Sequence, residues 1–239
     1  MRTFSITDVG MVRKTNQDYV FCSNNPIGSL SNLFLVADGM GGHNAGDYAS
    51  KCCVENMIAA IEHSNLKSPI SILEHATQKA NAAVYEAAEG DIVLHGMGTT
   101  LVAATILGTE MYIANVGDSR AYLIREYIHQ ITEDHSWVEA MVRKGEIDRK
   151  DARLHEKKNV ITRAIGMSPM VQADFFEISL EEGDVLAMCT DGLSNMVEDE
   201  EMFEIVKNSD SIESAGKELI RTANANGGKD NIGLILIQI

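Results

Sequence analysis

Four aspartates stand where short apolar runs meet turns. Asp38 opens Asp38-Gly39-Met40-Gly41-Gly42 directly after the apolar run 33–37, and Asp118 lies in Gly117-Asp118-Ser119-Arg120 after the run 111–116. Asp191, in Thr190-Asp191-Gly192, follows the run 185–189, and Asp230, in Lys229-Asp230-Asn231, precedes the run 232–239. Apolar runs of this length bounded by turn residues read as buried strands, so the four acids mark places where the chain leaves a core. The glycines beside Asp38 remove Cβ atoms that would block a close backbone approach. Such a turn can offer a carboxylate and a backbone carbonyl to one hard cation. A single Asp-Gly is an ordinary turn; four acids at four strand ends suggest one carboxylate cluster. Carboxylates gathered in one place repel unless they are protonated or neutralised. No nearby run of lysine or arginine supplies the counter-charge, which leaves a divalent metal. All-oxygen ligation without Cys or His favours Mg²⁺ or Mn²⁺ over Zn²⁺. Ca²⁺ competes, although nothing here matches the EF-hand loop.

The remaining chemistry lies in Val12-Arg13-Lys14-Thr15-Asn16-Gln17-Asp18. Arg13 can give two parallel hydrogen bonds to a phosphoryl group, and its charge does not switch off. Asp18 adds a fifth acid close to it along the chain. Alone, the heptad reads equally as a surface turn with a solvated arginine. Together with Gly96-Met97-Gly98-Thr99-Thr100, Glu133-Asp134-His135-Ser136 and Ile161-Thr162-Arg163-Ala164-Ile165-Gly166, these segments occur in the order found in the metal-dependent protein phosphatases (type 2C, or PPM), in particular their bacterial serine/threonine branch. The resemblance runs over essentially the whole chain.

That resemblance implies hydrolysis of phosphoserine and phosphothreonine on proteins by a metal-activated water, with two to three Mn²⁺ or Mg²⁺ ions. By motif, Asp38 would bridge two metals, Gly39 would lend its carbonyl, and Asp191 and Asp230 would complete one metal shell. Asp18 would sit close by, acting through water, and Asp118 with Asp191 resembles a third-metal site. Arg13 would hold the phosphoryl oxygens. One position departs from the pattern: eukaryotic relatives often carry a histidine where this chain has Met40, which has no proton to give. His43 is nearby, and reads equally as a loop residue; His135 and Trp137 receive no role. A small-molecule phosphatase would use the same site, and a catalytically dead relative or a metal-stabilised binding domain stays open as an alternative. The partners implied are phosphorylated proteins, with a serine/threonine kinase and its substrates on the opposing side.

The chain of 239 residues, 45% hydrophobic, suits one domain with a substantial core, read as residues 1–239. Its net charge of −15 argues against a general nucleic-acid binder, which needs a basic face. Cys22, Cys52, Cys53 and Cys189 show no Cys-x-x-Cys spacing, which suits a reduced, cytoplasmic protein. No segment approaches eighteen apolar residues, so no membrane span is expected, and a monomer is the expected state.

Apolar spacing predicts helices over 45–61, 70–88, 199–207 and 212–225. Strands are expected over 4–9, 19–22, 33–37, 99–107, 111–116, 121–124, 128–131, 159–163, 175–179, 185–189 and 232–239. The charged stretch 133–159, with short helices over 137–144 and 148–154, reads as a projecting flap. Strand runs with helices inserted in pairs do not alternate βαβ, which argues against a doubly wound parallel sheet. The pattern suits an α+β fold, and the resemblance implies a four-layer αββα sandwich of two antiparallel sheets flanked by pairs of helices.

Overall fold

The computed structural model describes residues 1–42, 45–153 and 155–239. His43, and Leu154 at the end of the helix expected over 148–154, lie outside the described residues. The chain opens with β1 (Arg2–Asp8), β2 (Asp18–Ser23) and β3 (Leu33–Met40), followed by the helices α1 (Ala45–Glu62) and α2 (Pro69–Gly90). A meander comes next, with β4 (Gly98–Thr99), β5 (Leu101–Leu107), β6 (Glu110–Val116), β7 (Arg120–Ile124) and β8 (Ile128–Gln130). Two short helices, α3 (Trp137–Arg143) and α4 (Arg149–Ala152), precede β9 (Asp174–Ser179) and β10 (Val185–Cys189). Then α5 (Asp191–Ser194), α6 (Asp199–Asn208) and α7 (Ile212–Ala225) lead to β11 (Ile232–Gln238).

Two sheets form, β1-β11-β10-β7-β8 and β2-β3-β5-β6-β9, with β4 paired to β3. All the strand pairs are antiparallel. The side-chain period of two explains why residues 33–37 of β3 and 234–237 of β11 are continuously apolar: each strand serves two layers. Leu33, Leu35 and Ala37 pack with Cys53, Met57, Leu73 and Ala80 of α1 and α2. Phe34 and Val36 point the other way and meet Ile235, Ile237, Leu186 and Met188 of the facing sheet. On the far side, Leu234 and Leu236 pack against Ala215, Leu219 and Ala223 of α7. Each fully buried Leu or Ile in these layers stabilises the fold by roughly 1.5–3 kcal/mol relative to exposure. The αββα sandwich of the α+β class is therefore the observed architecture.

Two local expectations are corrected. The segment 159–163 is no sheet strand; it makes a single isolated bridge, Ser136 with Ile161, flanked by bonds from Trp137 N–H to Val160 O and from Thr162 N–H to His135 O. Its apolar residues pair with the entry to α3 instead of a sheet edge. The short helix α5 was not expected, because four residues directly after a strand carry no periodicity.

Candidate metal centre

Residues from both sheets converge at one end of the sandwich. The β2–β3 register sets Asp18 directly opposite Asp38. The peptide groups of Asp38 are occupied on both sides: its N–H donates to Thr100 Oγ1 at 2.9 Å, and its C=O accepts from Thr99 Oγ1 at 2.9 Å and from Thr100 N–H at 2.9 Å. Thr100 Oγ1 also lies 2.7 Å from Ser119 Oγ, beside Asp118 in the β6–β7 turn. The Gly-Thr-Thr segment thus links two of the acid-bearing turns.

Close backbone approaches bring in the rest. A Cβ on Gly39 would stand 1.9 Å from Gly46 O at the start of α1, so only glycine lets that helix reach β3. A Cβ on Gly192 would stand 1.8 Å from Asn231 O, so the start of α5 meets the start of β11 and brings Asp191 and Asp230 together. Asn231 then ties in the Arg13 loop. Its Oδ1 accepts from Gln17 N–H at 2.9 Å, and its Nδ2 donates to Val9 O and Thr15 O at 2.9 Å each. Asn195 Nδ2 donates to Asp191 Oδ2 at 2.9 Å, fixing one carboxylate oxygen from one turn further along.

The result is a cavity of about 300 Å³ whose wall includes Arg13, Asp38, Gly39, Asp118, Asp191 and Asp230. Arg13 NH2 donates to Asp230 Oδ2 at 2.8 Å. Asp18 lies behind this wall, 7% exposed. Its Oδ2 accepts from Thr190 Oγ1 at 2.7 Å, while its Oδ1 is buried with no hydrogen-bond partner among the described residues. Met40, Asn159 and Ile161 complete part of the wall, and no histidine lines it among the described residues.

The electrostatics are those of crowded anions. Burial, opposed by the Thr190 hydroxyl and reinforced by Asp191 and Asp230, pushes the Asp18 carboxyl up to about 8. Burial and then Asp191 push Asp118 up to about 8, and burial and then Asp230 push Asp191 up to about 6. Asp38 is held well above the usual carboxylate range by burial first and by Asp18 and Asp191 next. Among the described residues no three Cys, His, Asp or Glu side chains converge into a finished ligand set. Their chemistry nevertheless fits a hard divalent cation: every donor is oxygen, the field is negative, and the buried Asp18 Oδ1 has no other partner.

A second cavity, of about 370 Å³, adjoins this one through Asp118 and Asp191 and is roofed by residues of the stretch 133–159. Its arginines are paired: Arg120 bonds Asp134 with Nε at 2.9 Å and NH2 at 2.7 Å, and Arg149 bonds Glu139 at 2.7 and 3.0 Å. Arg153 NH2 donates to Ser194 O at 2.8 Å, and Lys158 Nζ to Asn195 Oδ1 at 3.3 Å, so this stretch rests on α5. The sequence reading carried Thr99, Thr100, Ser119 and Asn231 inside its motifs without giving them a role, and it did not reach Asn195. Only their adjacency to the acids could have signalled them.

Comparison with known proteins supplies a context. The sequence profile described as Protein phosphatase 2C matches residues 12–236. The chain is 39% identical over 241 residues to the serine/threonine phosphatase stp of Listeria monocytogenes, covering 97% of this chain and 93% of the relative. The solved S. agalactiae serine/threonine phosphatase superposes with a TM-score of 0.92 at 33% identity, over 100% of this chain and 99% of that one. The catalytic domain of the serine/threonine protein phosphatase PstP, solved in complex with 2 manganese ions, superposes with a TM-score of 0.85 at 31% identity, over 98% and 96% of the two chains.

Proposed function

We propose that this chain, which belongs to the protein phosphatase 2C family, hydrolyses phosphoserine and phosphothreonine esters on proteins at the cavity walled by Asp38, Asp118, Asp191 and Asp230. The observation that carries the site is the crowding of carboxylates, Asp18 buried and Asp38, Asp118 and Asp191 half-buried, whose protons are held above the ordinary range, with Arg13 on the same wall. Such a field is set to exchange protons for divalent cations. Bound Mn²⁺ or Mg²⁺ supplies the counter-charge and an activated water.

Asp38 presents its carboxylate from a backbone fixed by Thr99 and Thr100, and with Gly39 O beside it would hold the cation. Asp191 and Asp230 would join it as ligands, Asp18 would add its charge from behind, and Asp118 with Asp191 would hold a further ion. Arg13 binds the phosphoryl oxygens; the bond from its NH2 to Asp230 fixes one end of the guanidinium on the cavity wall, and its other N–H groups suit a ligand with two oxygens to offer. Met40 contributes no proton to the leaving alkoxide. The substrates are phosphoproteins, opposed by a bacterial serine/threonine kinase. The chain acts as one catalytic domain over residues 1–239, a monomer, with 133–159 as its flap. No helix of the described residues is long and apolar enough to cross a membrane, and the four cysteines are unpaired, which suits the cytoplasm.

The test is dephosphorylation of phosphothreonine peptides after chelator treatment. Activity should vanish and return with Mn²⁺ or Mg²⁺; full turnover in a verified metal-free sample overturns the reading.

A further inference from the structure

His135 is 7% exposed and touches neither cavity, yet it grips the turn that carries Asp118 at two points. Its peptide N–H donates to Gly117 O at 2.8 Å, and its ring Nδ1 accepts from Gly117 N–H at 3.0 Å. A ring nitrogen that accepts from a peptide N–H carries no proton, so the proton of the neutral ring sits on Nε2. Nε2 then donates to Asp174 Oδ2 at 3.1 Å, and Arg163 NH1, 3.0 Å from Nε2, is a neighbour of that N–H and gives it no hydrogen bond. Asp174 is fixed in turn by Arg163, whose NH1 donates to Asp174 Oδ1 at 2.7 Å and to Gln172 O at 2.9 Å. Gly117 has little room of its own. Its φ is +108°, and a Cβ there would stand 2.6 Å from Thr100 Cγ2. The C=O of His135 accepts from Thr162 N–H at 2.7 Å, closing the two ends of the stretch 133–159 against each other.

We propose that His135 is a positioning residue for the Asp118 carboxylate, holding the Gly117 turn between its own peptide group and its ring Nδ1. Asp174 and Arg163 keep the ring in the tautomer that this grip requires. The proposal rests on the reading of Asp118 as a cation ligand. A group acting through a ligand's neighbour changes cation affinity by about 10–100-fold when removed. The effect should therefore fall on the cation that Asp118 would serve.

The experiment measures Mn²⁺ binding at equilibrium by calorimetry, with amide exchange at Gly117, in the folded full chain. His135→Ala should weaken by about tenfold or more the same Mn²⁺ class that Asp118→Asn removes, leaving Mn²⁺ bound elsewhere unchanged, and Gly117 should lose its amide protection. His135→Asn, whose Oδ1 can take the place of Nδ1, should restore both. His135→Gln, which reaches toward Asp174 without placing an acceptor at Gly117, should behave as Ala and substitutes for it should His135→Ala fail to fold. Unchanged Gly117 protection in His135→Ala or His135→Gln overturns the positioning role. Lost protection with Mn²⁺ binding unchanged, where Asp118→Asn does lose a class, overturns its consequence for the cation. If Asp118→Asn loses no class, the ligand reading of Asp118 falls, and the proposal with it.

Discussion

Asp38 has its peptide N–H and C=O taken by Thr100 and Thr99, so its carboxylate is the part of the residue left to answer a ligand. Replacing it by Ala should leave the fold and lower kcat at least about a hundredfold, and Asp191→Ala should do the same, as measured at saturating Mn²⁺. Near-normal rates would move the site elsewhere. Gly192→Ala tests a different thing, the approach of α5 to β11. Its Cβ has no room beside Asn231 O, so Asp191 should separate from Asp230, with weaker Mn²⁺ binding and a lower Tm. The acids were legible in the sequence because Asp-Gly turns at strand ends are local signals. Asn231 was not: its partner Gln17 is 214 residues away, and a side-chain amide says nothing about which loop it will hold.

At the scale of elements, α1, α2 and the inner strands were legible because apolar periodicity ran long enough to fix them. The helix expected over 70–88 runs Pro69–Gly90. The stretch 159–163 looked like another strand, but its partner is the three-residue entry to α3, and no sheet edge accepts it. The stretch 133–159, proposed as a flap, rests on α5 through Arg153, whose NH2 reaches Ser194 O and lies 3.2 Å from Glu198 Oε1. Arg153→Ala should free the flap without unfolding the core, raising proteolytic cutting between residues 144 and 158. If the flap selects protein substrates, the variant should change kcat/KM for a phosphopeptide more than for a small aryl phosphate. Equal changes for both would leave the flap a structural role only.

At the scale of the whole molecule, pH and cation act on the same groups. The folded-state pKa values of Asp18, Asp118 and Asp191 lie above the ordinary 3.8, so their stability contribution is full below that value. It is lost as pH rises through about 6 for Asp191 and about 8 for Asp18 and Asp118. Without divalent cation, Tm should therefore fall as pH rises from 5 to 9, roughly across those values. Mn²⁺ should raise Tm more at pH 8 than at pH 6 at equal concentration, because it competes with fewer protons; at a hundred times Kd the gain is about 2.7 kcal/mol. Equal shifts at both pH values would mean that the cation binds away from these acids. The pair Arg125–Asp184 works with the opposite sign. Asp184, 1% exposed, accepts from Arg125 Nε and NH2 at 2.8 Å each, and that hydrogen bonding holds its carboxyl below 3.8. Its stabilisation is present above 3.8 and lost as pH falls through the lowered value. Asp184→Asn should cost about 1–3 kcal/mol near neutral pH and flatten the acid limb of denaturation, read by urea titration between pH 3 and 7 (roughly the window around that ordinary value).

The strand β11 lies between β1 and β10, and Asp230 stands just before it. The element that completes both the sheet and the cavity is therefore made after all its neighbours. While the chain is being synthesised, β1 has no strand to pair with, and Asp18 and Asp38 can meet no Asp230. A cation that needs Asp38, Asp191 and Asp230 together cannot guide the early steps of folding, because that place is complete only once β11 joins the sheet. Contacts this distant along the chain form slowly. A chain made as far as α7 already has every residue of the α1–α2 layer and still lacks Asp230, so the wall of the cavity is the last thing synthesis supplies.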